Sequence, residues 1–516
     1  MIDKRLVLPA IFALLVSACG ADGIGAVASS LGLSNGPPPE GTLLQSPAQL
    51  VSTVTAPSLL AELNLATNQQ LFSLSGAPVC DVLIFTIQYQ TVGGANEPTT
   101  GSGALMVPSG LGSTCTGARP IVLYAHGTST DRTFSMADLS NDEALALAAV
   151  FASQGYIVVA PNYAGYDTST LTYHPYLVAE QQSKDMMDAL KAARTALPLV
   201  SATLTRDNGK LFITGYSQGG YVAMATHRAM EAAGMTVTAS APMSGPYALA
   251  AFADAVFYGD VNGGAPISTT LLITAFQAAY GNIYADATDV FEPQYATGIQ
   301  TLLPTTLTRS QLYSQGLLPQ YALFSLTPPA PQFAAITPPT TPAALAEVFA
   351  LGFGAGNLIQ NSYRLSYLED AQAHPDGGFP ALTTGVASTS AQQPLRQALQ
   401  RNDLRDWNPV APLQLCGGAL DPVVFFFNTQ LMQGYWATHA PASASIGVLD
   451  LESAAGANDP YASLKQDFEL AKEAVAVAAV AQGASDGGLS AVATAYHATL
   501  VAPFCLAATR SFFANY

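Results

Sequence analysis

Short, largely apolar runs alternate with alanine-rich or amphipathic stretches along much of the chain. Pro120–Ala125, Tyr156–Ala160 and Leu211–Thr214 are runs of the kind that a parallel sheet buries on both faces. Between them, Asn141–Gln154 and Ala179–Leu197 have the composition and spacing of helices. Strands that alternate with helices favour right-handed crossovers. The pattern therefore predicts an α/β fold, with a mostly parallel sheet flanked by helices.

Strand patterns also occur before and after this region. Asp81–Gln90 and Gly103–Val107 predict an early hairpin, because a turn rich in Gly, Asn and Pro separates them. Pro412–Gly417 and Ser445–Leu451 predict the last two strands of the sheet.

The alternation pauses in the long interval between Pro242 and Pro412. This interval contains helical patterns such as Ile267–Tyr284 and clusters of prolines. We expect it to form a helical cap, residues 247–408, inserted after the sixth strand. Residues 48–246 and 409–516 would then form the α/β domain.

The N-terminus has the pattern of a targeting segment. Lys4 and Arg5 precede the apolar run Leu6–Val16, which is too short to span a membrane as a mature helix. The run ends near Cys19 in a pattern that resembles a bacterial lipobox. We expect residues 1–18 to be a signal peptide and residues 19–47 a flexible tether, with a lipid anchor on Cys19. Ordinary signal cleavage and free secretion is the alternative.

Four further cysteines indicate disulfide bonds in an exported protein: Cys80, Cys115, Cys416 and Cys505. Four cysteines allow three pairings. Cys80 and Cys115 flank the predicted hairpin, so we prefer Cys80–Cys115 with Cys416–Cys505. No C-x-x-C motif or His/Cys cluster indicates a metal site, and nothing in the sequence implies a cofactor.

The charge balance argues against one class of partner. Of the 516 residues, 10% are charged and the formal net charge is −17. A surface of this sign repels phosphate backbones, so we do not expect nucleic acid to bind.

A candidate nucleophile follows the strand Leu211–Thr214. Gly215–Gly220 reads G-Y-S-Q-G-G, which contains the G-x-S-x-G pattern at a strand-to-helix junction. A serine at such a sharp turn is exposed at the top of the sheet, where it can attack a carbonyl. A serine hydroxyl is a weak nucleophile on its own, so Ser217 requires a base and an acid that orients the base.

The order of elements selects the partners of Ser217. Asp421 follows the predicted strand Pro412–Gly417 and a glycine turn, which is the position of the acid in such sheets. His497 follows the last predicted strand and precedes a closing helix, so it is the preferred base. His439 is the reserve, since it also follows Asp421 but lies at the end of a helix.

The oxyanion formed by an attacking Ser217 requires N–H donors that are already in place. The backbone amide of Gln218 is the first candidate donor. Thr128 is the second, because it follows His126 and Gly127 on the loop after the predicted strand Pro120–Ala125. We expect His126 itself to be a buried ring bonded to backbone.

Several motifs together resemble secreted lipases and esterases of the α/β-hydrolase fold, above all the group related to Candida antarctica lipase A, which has an inserted helical lid. The motifs are His126-Gly127, Pro161–Asp167, His174–Tyr176, Gly215–Gly220, Asp421 and His497. The resemblance implies hydrolysis of carboxylic esters through an acyl-enzyme, with Ser217 as nucleophile, His497 as base and Asp421 as orienting acid. It implies a small-molecule or lipid ester as substrate. Three tyrosines on loops near this site, Tyr163, Tyr166 and Tyr176, are candidates for substrate contact or for packing of the loop.

Two alternatives remain open. The double glycine Gly219-Gly220 is also used by peptidases that resemble prolyl oligopeptidase, so a serine peptidase is one. A surface lipoprotein that keeps the fold without catalysis is the other. In the cap, aromatic and aliphatic residues are candidates either for a lipid-accepting pocket or for the cap's own core: Phe252, Phe257, Tyr258, Leu271, Leu272, Phe276 and Tyr280.

Overall fold

A nine-stranded mixed sheet forms the framework of the protein. Its strands are β1 (Gln49–Val54), β2 (Asp81–Val92), β3 (Pro98–Ser109), β4 (Ala118–Ala125), β5 (Ile157–Pro161), β6 (Arg206–Tyr216), β7 (Ala239–Met243), β8 (Leu413–Gly417) and β9 (Ile446–Asp450). Their order across the sheet is β1-β2-β3-β5-β4-β6-β7-β8-β9. β1, β2, β3 and β5 pair antiparallel, whereas β5, β4, β6, β7, β8 and β9 pair parallel. The predicted α/β fold is confirmed.

The computed structural model of the chain describes residues 36–65, 69–200, 204–341, 345–376 and 390–516. Residues from Gly41 to Tyr516 form one compact unit, and residues up to Glu40 belong to another. The expected signal peptide, Cys19 and most of the expected tether lie outside the described residues. The division of the larger unit into an α/β domain and a cap stays a prediction.

Helices cover both faces of the sheet and fill the interval between β7 and β8. In that interval the described α-helices are Leu249–Phe257, Ala265–Tyr280, Pro293–Ala296, Arg309–Ser314, Ala346–Ala350, Asn361–Ala373 and Pro394–Arg401. Elsewhere they are Ala56–Leu63, Gln69–Ser75, Asp142–Val150, Ala179–Val200, Gln218–Ala232, Phe427–His439, Ala462–Ala481, Leu489–Ala495 and Ala502–Phe513.

Alternating side chains of the central strands point to opposite faces of the sheet and pack into two separate hydrophobic cores. In β4, Ile121 and Leu123 belong to the core beneath the helices Ala179–Val200 and Gln218–Ala232. Val122 and Tyr124 point to the opposite face, where the helices Asp142–Val150 and Ala502–Phe513 pack. A strand whose residues are buried on both faces reads as a continuous apolar run, which explains why β4 was identifiable from the sequence.

The edge of the sheet differs from the expectation. β1 adds a strand beside β2, so the inserted helices follow the seventh strand and not the sixth. β1 is mostly exposed and lacks a strong apolar pattern, which is why the sequence did not reveal it.

Two disulfides form with the preferred pairing. Cys80–Cys115 joins the start of β2 to the loop after β3. Cys416–Cys505 joins β8 to the helix Ala502–Phe513. The second bridge links the strand that precedes Asp421 to the helix that follows His497, so it ties together two regions of the candidate site.

The helical run Leu489–Phe513 is long and apolar enough to cross a membrane by length and composition alone. Core helices of globular proteins meet the same criterion. Phe504, Leu506 and Phe513 are buried in the core beneath the sheet, so we interpret this run as a core element.

A buried ion cluster joins three of the inserted helices. Arg396 donates to Asp254 at 2.8 and 3.0 Å and to Asp370 at 2.8 Å. The Tyr367 hydroxyl also donates to Asp254, at 2.7 Å. Only 4% of the Arg396 side chain is exposed. Because its charge and that of Asp254 are both out of water, each depends on the other.

Replacing Arg396 with alanine is expected to lower the free energy of unfolding by about 3–5 kcal/mol, since it leaves the Asp254 carboxylate buried without its main partner. Urea unfolding followed by circular dichroism measures the change. Arg401→Ala is the matched control: this arginine in the same helix lies over the Tyr280 ring at 4.6 Å, an exposed contact with an expected cost of about 0.5–1 kcal/mol. Equal losses in the two variants would contradict the role of the cluster.

Candidate active site

Ser217 lies at the sharp turn between β6 and the helix Gln218–Ala232. Its backbone angles, φ 59° and ψ −121°, are unusual for a residue other than glycine. The Ser217 amide donates to the Met243 carbonyl of the neighbouring strand β7 at 3.0 Å, which helps to hold this conformation. The strained turn aims the side chain away from the helix and into a cavity at the edge of the sheet.

The two glycines after the serine are required by packing. A Cβ atom on Gly219 would lie 1.9 Å from the Ala125 carbonyl oxygen, and one on Gly220 would lie 2.2 Å from that of Met243. The helix therefore approaches β4 and β7 more closely than any side chain would allow. Because packing accounts for the double glycine, it carries no information on the choice between esters and peptides.

His497 lies beside Ser217, although 280 residues separate them in the chain. The distance from His497 Nε2 to Ser217 Oγ is 2.8 Å. His497 is the second residue of a short π-helix, Tyr496–Val501, between the helices Leu489–Ala495 and Ala502–Phe513. π-Helical turns are rare in proteins, and those that occur are often found at functional sites. The wider turn brings the imidazole to the edge of the sheet.

Asp421 completes a continuous chain of hydrogen bonds. Its Oδ2 lies 2.7 Å from His497 Nδ1, while Oδ1 accepts from the amides of Val423 and Val424 at 2.9 and 3.0 Å. Asp421 is buried. With both oxygens bonded, the carboxylate is fixed in place and holds the proton of the imidazole on Nδ1, which leaves Nε2 to face Ser217.

Tyr216 is a supporting residue that the sequence analysis missed. Its hydroxyl donates to the backbone carbonyl of His497 and lies 3.4 Å from His497 Nδ1. The two rings pack with centroids 4.9 Å apart. The signal was present in the variable position of the G-x-S-x-G pattern, but sequence alone does not show where that side chain points.

The two candidate oxyanion donors occupy suitable places. Gln218 begins the helix after Ser217, and the first amides of a helix have no acceptor within the helix. Thr128 follows Gly127 on the segment 126–128, which we call the oxyanion loop. Thr128 and Gln218 both line the cavity that holds Ser217 and His497.

Two buried histidines, His126 and His174, form hydrogen bonds with the loops around the site. Ring nitrogens of His126 lie 2.6 Å from the Gly127 carbonyl and 3.1 Å from that of Asn162, which agrees with the backbone-bonded role expected for His126. His174 Nδ1 lies 2.8 Å from the Ala164 carbonyl, and its Nε2 lies 2.7 Å from the side-chain amide of Gln218. Burial lowers the pKa of His126 to about 4 and that of His174 to about 3. Both rings are therefore neutral near pH 7.

Tyr163 and Tyr166 do not contact the cavity, which corrects one of the two roles considered for them. Both are fully buried. Their hydroxyls donate to backbone carbonyls, that of Tyr163 to His126 at 3.0 Å and that of Tyr166 to Ser129 at 2.7 Å. Both side chains therefore pack within the loop and stabilise it through these hydrogen bonds, and they do not line the substrate cavity. Tyr176, the third of the tyrosines considered, does line the cavity, and its hydroxyl lies 2.9 Å from the Thr128 hydroxyl.

His439, the reserve base, lies elsewhere. It ends the helix Phe427–His439 on the surface, stacks on the Tyr435 ring at 4.2 Å and bonds to the Tyr435 carbonyl. Among the described residues, His497 is the histidine that lines the cavity beside Ser217.

The cavity above Ser217 is large and mainly apolar. Its volume is about 1610 Å³, and it extends between the oxyanion loop, the inserted helices and the helical run Leu489–Phe513. Of the seven inserted residues that the sequence singled out, Phe252, Phe257 and Leu272 line it. Leu271 and Phe276 are buried in the core instead, as amphipathic helices commonly arrange such positions.

Comparison with protein families gives one match. The model of the prolyl oligopeptidase family matches residues 144–257, which include Ser217. Among curated proteins, none matches the sequence significantly.

Solved structures share the fold over most of the chain. The rice cell wall degrading esterase LipA from Xanthomonas oryzae is 26% identical, with 84% of this chain and 96% of that chain covered and a TM-score of 0.62. A ligand-bound form of the same esterase is 25% identical over 89% and 98% of the two chains, also with a TM-score of 0.62. Candida antarctica lipase A in its closed state is 13% identical over 80% and 78%, and its TM-score of 0.44 is too low to support an argument about the cap.

The fold and these comparisons support an enzyme of the α/β-hydrolase class, a serine hydrolase. No group of three or more potential metal ligands occurs among the residues that the structure describes.

The lowered pKa values of His126 and His174 predict that both rings stay neutral on mild acidification. Their ¹⁵N chemical shifts in histidine-labelled protein should not change between pH 8 and pH 5, because burial disfavours the charged form. His126→Gln and His174→Gln variants would assign the signals. A ring that gains its proton above pH 5 would show that the backbone carbonyls beside it, which favour the charged form, outweigh burial.

Proposed function

We propose that the protein is a lipase or esterase that cleaves carboxylic esters through an acyl-enzyme on Ser217. The observation that carries the proposal is the unbroken relay from Ser217 Oγ to His497 Nε2 at 2.8 Å and from His497 Nδ1 to Asp421 Oδ2 at 2.7 Å. These are the distances at which a base takes a proton from a nucleophile and a carboxylate orients the base.

The reaction follows from the positions of these atoms. Ser217 Oγ attacks the ester carbonyl carbon while its proton passes to His497 Nε2. The tetrahedral intermediate then collapses, and the imidazolium gives the proton to the departing alcohol. The acyl group stays on Ser217. Water, deprotonated by His497, attacks the acyl-enzyme and releases the carboxylic acid.

Asp421 and the backbone amides stabilise the charges that form. Asp421 stabilises the imidazolium without taking its proton. In this proposal the amides of Gln218 and Thr128, whose residues both line the cavity, donate to the oxygen that becomes negative. One such donor is worth about 10²–10³ in rate, or roughly 3–4 kcal/mol.

The lining of the cavity favours an apolar acyl group. Phe252, Phe257 and Leu272 come from the inserted helices, which in this proposal form a lid over Ser217. The esterase activity of LipA, as its name states, supports ester cleavage here. Its described substrate, the rice cell wall, does not transfer to this chain.

A serine peptidase is the second candidate, supported by the match to the prolyl oligopeptidase family. Arg309 lines the cavity and provides a cation that could hold a peptide carboxylate. By contrast, Arg364 and Arg396 are buried and bonded within the inserted helices, so they do not face a substrate. A non-catalytic binding protein is disfavoured, because binding alone does not require an assembled relay.

Ser217→Ala should lower turnover of p-nitrophenyl esters by at least about 10³-fold, because it removes the nucleophile. The melting temperature should not fall, since the substitution removes only the hydroxyl group of a half-buried side chain that faces the cavity. Wild-type protein tested in parallel on p-nitrophenyl esters of increasing chain length and on aminoacyl anilides separates the candidates. Faster cleavage of the anilides would favour the peptidase, and full turnover by Ser217→Ala would reject the nucleophile.

We further propose that the protein is exported and anchored through a lipid on Cys19. The two disulfides support an oxidising compartment. Free secretion after ordinary signal cleavage is the alternative.

Mass spectrometry of the mature N-terminus tests the anchor. We expect a first residue at Cys19 that carries diacylglyceryl, because the lipobox-like pattern ends at that cysteine. Cys19→Ala should release the protein from the membrane fraction. A mature chain that starts at Gly20 or later would contradict the anchor and support secretion.

A further inference from the structure

A carboxylate that the proposed reaction does not use lies against the oxyanion loop. Glu143 comes from the first turn of the helix Asp142–Val150. Its Oε1 and Oε2 lie 3.0 and 3.2 Å from the Gly127 amide, which donates to them. Oε1 also accepts from the Tyr124 hydroxyl at 2.6 Å. The helix dipole and the Asn141 cap, which accepts from the Glu143 amide at 2.9 Å, fix the turn that carries Glu143.

Glu143 holds the peptide group that directly precedes the one carrying the second oxyanion donor. The Gly127 carbonyl and the Thr128 amide belong to one planar peptide group, so they point in opposite directions. His126 Nδ1 lies 2.6 Å from that carbonyl. Glu143 therefore holds Gly127 from its amide side and His126 holds it from its carbonyl side. Gly127 has no side chain to restrict it, so these two contacts limit where the Thr128 amide points, together with the 2.9 Å contact between the Thr128 and Tyr176 hydroxyls.

We propose that Glu143 is a positioning residue for catalysis, which orients the Thr128 amide toward the oxyanion by holding Gly127. The inference rests on the proposed hydrolase function. Glu143 also lines the cavity, and the role assigned to it acts through the oxyanion loop.

The environment of Glu143 makes its charge unfavourable for folding. Burial raises the pKa of Glu143 to about 7, despite its hydrogen bonds to Tyr124 and Gly127. The titratable groups that surround it stay neutral near pH 7. Burial raises the pKa of Tyr124 and of Tyr163 well above the usual range, and it lowers the pKa of His126 to about 4. No neighbouring cation among these groups offsets the carboxylate.

The raised pKa of Glu143 makes the stability of the folded protein depend on pH. The pKa of Glu143 is higher in the folded than in the unfolded chain, so its contribution favours folding at low pH. That contribution is lost as the pH rises from about 4.5 through about 7. At pH 8 the folded protein therefore carries a carboxylate charge that its surroundings disfavour. Stability given up at a site in this way is typical of residues kept for function.

Glu143→Gln separates positioning from structure. Glutamine keeps the shape but places an NH₂ group near the Gly127 amide, where the carboxylate had an acceptor. We expect kcat for a p-nitrophenyl ester to fall about tenfold or more with KM within about twofold. The melting temperature at pH 8 should stay equal or rise, and the gain over wild type should be smaller at pH 5. Asp138→Asn removes an exposed charge just before the same helix and outside the cavity lining, and it should change neither kcat nor the pH dependence of melting.

The outcomes are distinguishable. A Glu143→Gln enzyme with wild-type kcat, or one whose melting temperature falls at pH 8 in proportion to its kcat, would overturn the positioning role. Should that variant not fold, Glu143→Asp keeps the charge but withdraws it from Gly127, and an unchanged kcat there would overturn the inference equally. A wild-type protein with no ester turnover would reject the proposed function first. Failure confined to the Glu143 variants would reject only this inference.

Discussion

The proposed catalysis by Ser217 depends on the hydrogen bond between His497 Nε2 and Ser217 Oγ. Nothing local brings these residues together. Ser217 follows β6 and Asp421 follows β8, and the parallel strands place both at one edge of the sheet. His497 reaches the same edge because the π-helical turn and the Cys416–Cys505 bridge hold its helical run against β8. The site is therefore a product of sheet topology and not of sequence proximity.

Residues that lie in strong local patterns were predictable. The buried strand β4 reads as an apolar run, and the G-x-S-x-G pattern marks a strand-to-helix turn, so both were visible in the sequence. The order of elements then limited the choice of Asp421 and His497, and the structure brings both to Ser217. β1 was missed because an exposed edge strand has little apolar signal.

Residues whose importance depends on direction were not predictable. Glu143 lies in the first turn of a helix, where an acidic residue is common, yet its side chain reaches Gly127 on another element. Tyr163 and Tyr166 belong to a loop next to the site, but their rings turn into the core. The direction in which such a side chain points is decided by tertiary packing. Neither secondary-structure propensity nor residue spacing encodes it. The residues that hold the loops around the site are therefore identified by the folded structure and not by the sequence.

The most direct measurement is the site and rate of covalent labelling by a fluorophosphonate, which reacts with an activated serine hydroxyl. Peptide mapping should find one label per chain, on Ser217. The labelling rate should fall by orders of magnitude in His497→Ala, because the hydroxyl loses its base. A label on another serine, or an undiminished rate in His497→Ala, would contradict the relay.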